Sequence, residues 1–333
     1  MSGAPGALVA GCAAGWAGAR VSQYTRTMNT RPPGTRAAPG TAPGGSPPST
    51  RRPRALKVEV AEVIRETHDT VTLVFDRQPA HDYQPGQWLT IDPHQFSSLL
   101  RFIQLMERLK GRSEPPRAYS MASAPHEPLA ITIKEETWTP GEQAYPTILS
   151  PYLVHDVRIG MPMTIAGFSG PYHLPDDVIG RTDHIVHVCE GSGIVPNWSI
   201  VKAALRDHAR LRHTLLYSNT SWDDIIFRDA LHALADAHQD RLRVVHLFTA
   251  QADLSGLPST VRREPLSTEL VRDVVPDCHN AFYYACGPAL SPWHRLAAKE
   301  KGARPTPRFM ERVRDIISEL GIPTSRVREE CYG

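Results

Sequence analysis

Cysteine is scarce in this 333-residue chain, and what there is lies scattered: Cys12, Cys189, Cys278, Cys286 and Cys331. No two have the spacing of metal ligands. An odd, dispersed set does not make a disulfide framework, so a reducing, cytoplasmic setting is the expectation. The four clustered thiolates of an iron–sulfur centre are missing as well. No apolar run approaches the ~18 residues needed to cross a bilayer. The fifteen histidines include no HExxH or similarly spaced set, so metal catalysis is not expected. GxSxG is absent, and Ser192 lies in Gly-Ser-Gly rather than at a nucleophile elbow, which argues against a hydrolase. Asp, Glu and Lys are absent from residues 1–54, which hold seven Arg. With +2 overall, the remainder carries −5 and is mildly acidic. Those arginines sit among Pro and Gly without interleaved aromatics, so a nucleic-acid surface is not expected.

Residues 29–54 are dominated by Pro, Gly, Thr, Ala and Arg, which cannot bury enough apolar area to offset ordering, and the whole of 1–54 is read as a disordered tail. Leu8-Val9-Ala10-Gly11-Cys12 has the outline of a lipoprotein cleavage site. No Lys or Arg precedes it and the apolar stretch is short, so export is not expected; Met28 is an alternative start. Order is predicted from near Leu56.

From there to residue 178 the pattern is one of short strands separated by turns. Val58-to-Ile64, Val71-to-Phe75, Trp88-to-Ile91, Ala118-to-Ser120, Leu129-to-Ile133 and Met163-to-Ile165 read as β, which suggests an antiparallel barrel over 55–178. Residues 97–110 depart from it: Leu99, Leu100, Ile103, Met106 and Leu109 recur at helical spacing before Gly111, and the stripe is expected to pack on the barrel. Over 179–333 apolar strands alternate with amphipathic helices. That is the pattern of a Rossmann-like parallel sheet covered on both faces, giving a two-domain chain.

Three motifs carry chemistry. Gly191-Ser192-Gly193-Ile194-Val195-Pro196 falls between a strand and a helix, where glycines let backbone amides approach a pyrophosphate and Pro suits the first helical turn. A structural tight turn would look the same. Tyr284-Ala285-Cys286-Gly287-Pro288 places a cysteine at the carboxyl end of a parallel strand, where ligands bind in such folds, although lone buried cysteines are usually structural. Arg117-Ala118-Tyr119-Ser120 offers a phosphate fork, a stacking ring and a hydroxyl on one strand, a combination that is common taken alone.

Their order and spacing together resemble the ferredoxin–NADP reductase superfamily over residues 56–333. Pro85-Gly86-Gln87, Ile133-Lys134 and Ser150-Pro151-Tyr152-Leu153 are further matches. The resemblance implies an FAD-binding barrel followed by an NAD(P)-binding domain. It implies an enzyme that takes hydride from NAD(P)H onto FAD and passes electrons on singly to a separate ferredoxin or oxygenase component. By the same resemblance Arg117 would hold the FAD pyrophosphate, Tyr119, next to Ala118, would stack on the flavin, and Ser120 would sit near its reactive nitrogen. Ile133 and Lys134 would line the adenosine path, with Thr147 and Ser150 at the phosphates. Gly191, Ser192, Gly193 and Pro196 would cradle the nicotinamide dinucleotide, and Cys286, with Gly287 and Pro288, would lie against the nicotinamide. Tyr332, in Glu330-Cys331-Tyr332-Gly333, would cover the flavin and move aside for nicotinamide; an ordinary last strand is the alternative.

The chain also departs from the family pattern. Glu190 stands where a small residue is usual, and a carboxylate there would repel a pyrophosphate unless it points away. Tyr145-Pro146-Thr147 replaces the usual glycines. Ser218-Asn219-Thr220-Ser221 carries no Arg for a 2′-phosphate, and Asp223 and Asp224 follow, so NADH and NADPH both remain open. Two other functions stay in view: a flavin or quinone reductase with a diffusible acceptor, and a dinucleotide-binding regulatory subunit without turnover.

Overall fold

The computed structural model of the chain describes residues 54–76, 83–138, 143, 145–251 and 253–332. The expected disordered tail lies outside the described residues except for Arg54, which opens the first strand. Residues 51–333 form one compact unit containing two sheets.

The first sheet is antiparallel. It comprises β1 (Arg54–Thr67), β2 (Thr70–Phe75), β3 (Trp88–Ile91), β4 (Arg117–Ser120), β5 (Ala130–Lys134) and β6 (Pro162–Ser169), in the order β4-β3-β6-β1-β2-β5. Its two edges meet. Met121 bridges to Ile131 and the Ala122 N–H donates to Ala130 O, so the sheet closes into the expected barrel. Alternation decides which side chains go inside: Val58, Val60, Leu73, Ile91, Ile131 and Ile165 fill the interior, whereas Glu59 and Glu62 face water.

The predicted helix is present as α1 (Leu100–Lys110), preceded by a 3-10 turn at Ser97–Leu99 and ended by Gly111 in left-handed backbone. Its stripe is only half buried, contrary to expectation. Ile103 and Met106 pack on Ile148 and Leu99, while Leu100, Phe102, Leu105 and Leu109 are exposed. The helix touches the barrel along one narrow seam, so the outer positions of the stripe find nothing to cover them among the described residues. A short helix, α2 (Leu149–His155), sends Leu149, Leu153 and Val154 into the barrel core.

The second sheet is parallel throughout: β7 (His184–Glu190), β8 (Arg212–Asn219), β9 (Leu242–Phe248), β10 (Val261–Arg262), β11 (Phe282–Pro288) and β12 (Val327–Tyr332), in the order β10-β9-β8-β7-β11-β12. One face packs on α5 (Thr268–Val274) and α7 (Phe309–Glu319), and the other on α3 (Ile194–Asp207) and α4 (Arg228–Ala237). Burial on both sides is why these strands read as continuous apolar runs. α6 (Pro292–Glu300) and β10 add to the sequence reading, β12 is the last strand that the sequence allowed, and α3 begins at Ile194, which puts Pro196 in its first turn as expected. Pro196 allows this because its missing N–H falls in the first turn, where no intrahelical acceptor is lost.

Val74, Ala122 and Ala130 from the outer barrel wall pack in one cluster with Trp198 of α3, so the two sheets share a core. Ser199 Oγ donates to Ser123 O at 2.6 Å, and the Phe227 N–H donates to Glu66 at 3.2 Å. The parallel strands leave β7 in opposite directions, toward β8 on one side and β11 on the other. Their carboxyl ends therefore open a crevice facing β4 and β5 of the barrel.

Candidate active site

A cleft of about 590 Å³ lies at that crevice. It falls in the range of small-molecule and cofactor sites. The barrel supplies Arg117, Ala118, Tyr119, Ser120, Ile133 and Lys134, and Thr147 and Ser150 come from the start of α2. Ser192 and Pro288 face them from the parallel sheet, with Tyr332 from β12.

At one end three oxygens converge. Ser120 Oγ donates to Glu330 Oε1 at 2.7 Å and lies 2.7 Å from Tyr332 Oη, which itself donates to Glu330 Oε1 at 3.1 Å. Pairing of β12 with β11 sets Glu330 beside Cys286 and Tyr332 beside Pro288 in register. Tyr332 therefore belongs to a last strand and also projects into the cleft. Burial pushes the Glu330 carboxyl up, against the pull of its two hydroxyl donors. Cys286 is fully buried in the cluster that Tyr332 packs on, and burial pushes its thiol well up, so it is a neutral thiol and not a nucleophile.

The other end is cationic and its charges are partly matched. Arg117 Nη2 donates to Glu114 at 2.8 Å, and Lys110 holds the second oxygen of that buried carboxylate at 2.7 Å. The remaining guanidinium donors of Arg117, nearly half exposed, stay available at the cleft. Lys134 is engaged by Asp69 at 2.6 and 2.7 Å. Thr147 Oγ1 donates to Glu136 O, and the Glu136 N–H donates to Ser150 Oγ, which fastens the start of α2 to the end of β5.

Gly191 to Gly193 form a 3-10 turn leading directly into α3, with Pro196 in the first turn of the helix. The two glycines are needed for opposite reasons. Gly191 has φ +53°, with nothing within 4 Å of where a Cβ would lie. Gly193 has an ordinary helical φ of −61°, but a Cβ there would come within 2.0 Å of Cys286 O. Gly287 is crowded too, against the Phe309 ring. Glu190 is turned toward Arg312 at 3.7 Å, which answers the expected repulsion. Ser218 pairs with Glu190 in the sheet; it and Asn219 are buried at the end of β8 and do not line the cleft. The Arg missing from residues 218–221 has a neighbour from α4, for Arg228 lies over Trp222 at 5.6 Å and contacts Asp223 at 3.5 Å.

The cleft suits an elongated ligand with a planar ring against Tyr119 and an anion toward the cationic end, where Arg117 has spare donors. From the glycine turn Ser192 lines the cleft, while Gly191, Gly193, Pro196, Cys286 and Gly287 lie behind it. FAD with a nicotinamide dinucleotide fits that donor set. Sequence reasoning gave Glu330 no role of its own, although it named the segment; its alternation with Tyr332 on one strand was the available signal. Asp69 and Arg308, the latter also lining the cleft, were missed because only tertiary folding brings them there, and Glu114, three residues before Arg117, was missed although its contact is local. Among the described residues no group of three or more His, Cys, Asp or Glu is placed to hold a metal, and no helix is long and apolar enough to cross a membrane.

The family model described as an oxidoreductase NAD-binding domain matches residues 188–291. A ferredoxin reductase component of 3-ketosteroid-9-alpha-monooxygenase from Mycobacterium tuberculosis is 28% identical over 289 residues, covering 83% of this chain and 65% of that protein. A component of the 1,2-phenylacetyl-CoA epoxidase of Escherichia coli is 27% identical over 238 residues, 69% of this chain and 59% of its own length. The chain thus spans under two thirds of the curated relatives named here. Among solved structures, the flavohem-like FAD/NAD binding domain of nitric oxide dioxygenase from Vibrio cholerae superimposes with a TM-score of 0.59 at 20% identity, covering 85% of this chain and all of that one. An Amycolatopsis cytochrome P450 reductase gives 0.60 at 18% identity, covering 84% and 69%. These likenesses establish the fold.

Proposed function

We propose that the chain is a member of the ferredoxin–NADP reductase superfamily of FAD- and NAD(P)H-dependent oxidoreductases, and that it is a reductase serving a separate redox protein. Bound FAD would supply the redox chemistry, accepting hydride from NAD(P)H and releasing electrons singly. The observation that carries this reading is the meeting of Ser120 from the barrel with Glu330 and Tyr332 from β12, over Cys286, at one end of a cleft whose other end is cationic.

Each side chain then has a task. Arg117, oriented by Glu114, holds the pyrophosphate, and Thr147 and Ser150 shape the wall beside it. Tyr119 and Tyr332 exclude water from the reacting end. Ser120 Oγ would relay a proton released at the reacting end, taking it up as it passes its own to the Glu330 carboxylate, which exchanges it with solvent. Tyr332, packed on the cluster that holds Cys286, would swing aside to admit the nicotinamide. Gly191, Ser192 and Gly193 receive the dinucleotide phosphates beside the start of α3.

The acceptor is a separate ferredoxin or oxygenase component. This rests on the reductase-component role in the relatives' names. The free, buried thiols of Cys189, Cys278 and Cys286 accord with a cytoplasmic enzyme. The test is anaerobic stopped-flow spectroscopy of the FAD-reconstituted protein with NADH and NADPH in separate runs. Bleaching of the flavin by either donor is expected, and the faster one identifies the physiological donor. A protein that takes up no FAD, or whose flavin neither donor bleaches, removes the reductase reading.

A further inference from the structure

A chain of buried hydrogen bonds runs under the glycine turn, and nothing in the proposed chemistry uses it. His213 on β8 and His187 on β7 are almost completely excluded from solvent, and His187 Nε2 lies 3.1 Å from His213 Nδ1. His187 Nδ1 lies 2.8 Å from Asn197 Oδ1 on α3, and Tyr172 Oη donates to the same oxygen at 3.1 Å. Asn197 Nδ2 donates to Gly193 O at 2.8 Å.

The direction of every bond follows from the last. Only the amide nitrogen of Asn197 can donate to the Gly193 carbonyl, so Oδ1 is the acceptor on its other side. His187 must then carry its hydrogen on Nδ1, which leaves Nε2 to accept from His213 Nδ1–H. Both rings are neutral, since burial pushes His187 down to about 4 and His213 well below its ordinary value. Buried polar groups are costly to leave unpaired, so the network holds its members to one arrangement.

The two ends of this network are tight backbone approaches. Gly193, held from one side by Asn197, lies so close to Cys286 O that it has no room for a Cβ. Tyr172 belongs to the crossover from β6 to β7, and its carbonyl lies 2.0 Å from where a Cβ on Gly86 would be, at the Pro85-Gly86 turn of the barrel. The network therefore ties the barrel, the crossover, the sheet and the glycine turn to one amide.

We infer that His187, Asn197 and Tyr172 are positioning residues for the nicotinamide dinucleotide: without touching it, they hold the Gly191–Gly193 turn at the height required to receive its phosphates. The inference rests on the proposed function in naming the ligand, but the positioning of the turn does not.

The test compares His187→Leu with His187→Asn, since Asn presents an N–H where the imidazole Nδ1–H was and Leu presents none. Amide hydrogen exchange over residues 191–197 and the dissociation constant for NAD⁺ or NADP⁺, whichever the wild-type protein binds better, are measured for both variants with FAD bound. His187→Leu is expected to weaken dinucleotide binding about five- to tenfold, the equivalent of one buried hydrogen bond. It should also speed exchange in the turn, with FAD content unchanged, whereas His187→Asn should stay within about twofold of wild type by the same measure. Wild-type exchange and affinity in His187→Leu, or equal loss in both variants, overturn the inference. Should the Leu variant not fold, Tyr172→Phe, which deletes one hydroxyl from the network, is expected to speed exchange and weaken binding; wild-type values for both overturn it. If wild-type protein binds neither dinucleotide, the proposed function fails, and the exchange comparison still decides whether the network positions the turn.

Discussion

Gly193→Ala should disable the nicotinamide side of the cleft while leaving the flavin side intact. Its backbone is helical, so Ala has no conformational objection, and the whole effect is steric. The new methyl would lie 2.0 Å from Cys286 O, 2.6 Å from its carbonyl carbon and 3.1 Å from Gly287 N. All three are backbone atoms of a central strand, which cannot rotate away as a side chain could. Relief to even 3.0 Å requires the turn and β11 to separate by about 1.0 Å. Overpacking of this kind costs about 1–3 kcal/mol of stability. A misplacement near 1 Å can cost about 10²-fold in rate. Gly191→Ala is the matched comparison. It meets nothing within 4 Å but forces a side chain onto φ +53°, a strain of about 1–2 kcal/mol without displacement of the turn. In anaerobic stopped-flow runs, flavin bleaching by NAD(P)H should fall about a hundredfold in Gly193→Ala and only several-fold in Gly191→Ala. FAD content should match wild type in both. A Gly193→Ala protein with the wild-type rate, or the two variants slowed equally, would refute the argument from close approach.

Glu330→Gln keeps the hydrogen bonds to Ser120 and Tyr332 but removes the exchangeable proton, so NAD(P)H-driven turnover should fall about 10²-fold or more with FAD retained; a rate within threefold of wild type counts against a proton role. The same substitution tests linkage. A carboxyl raised by burial favours the fold below its unfolded pKa and loses that advantage as pH rises through the folded value, so Glu330→Gln should gain stability relative to wild type at alkaline pH, read from denaturant midpoints. His187 has the opposite sign. Its folded value, lowered from 6.5 to about 4, leaves its contribution complete above 6.5 and lost as pH falls toward 4, a loss on the order of 3 kcal/mol that His187→Asn should abolish from the stability–pH curve.

The barrel and the parallel sheet were legible because each has a clean apolar period, alternating in β1 to β6 and continuous in β7 to β11. α6 escaped notice because no residue in it is buried, although Ser291-Pro292 marks its start in the way helix N-termini usually are. β10 has only two residues, too few for a period. For α1 the period was right and the packing was not: helical spacing reports which residues share a face, not whether another element covers it. At the site, Arg117, Tyr119, Ser120, Gly193 and Cys286 could be picked out because their motifs are local. Glu114 and Asp69 could not, since each acts by neutralising or steering a cation and an acidic residue in a loop looks like any other. Glu330 stood between these cases.

Ser120 and Glu330, which share a hydrogen bond, are 210 residues apart along the chain. One is carried by β4 of the barrel and the other by β12 of the parallel sheet, so the contact exists only while the two sheets are seated on one another. A strain that parts the sheets therefore also opens the reacting end, and the state of that one contact gauges the seating of the whole molecule.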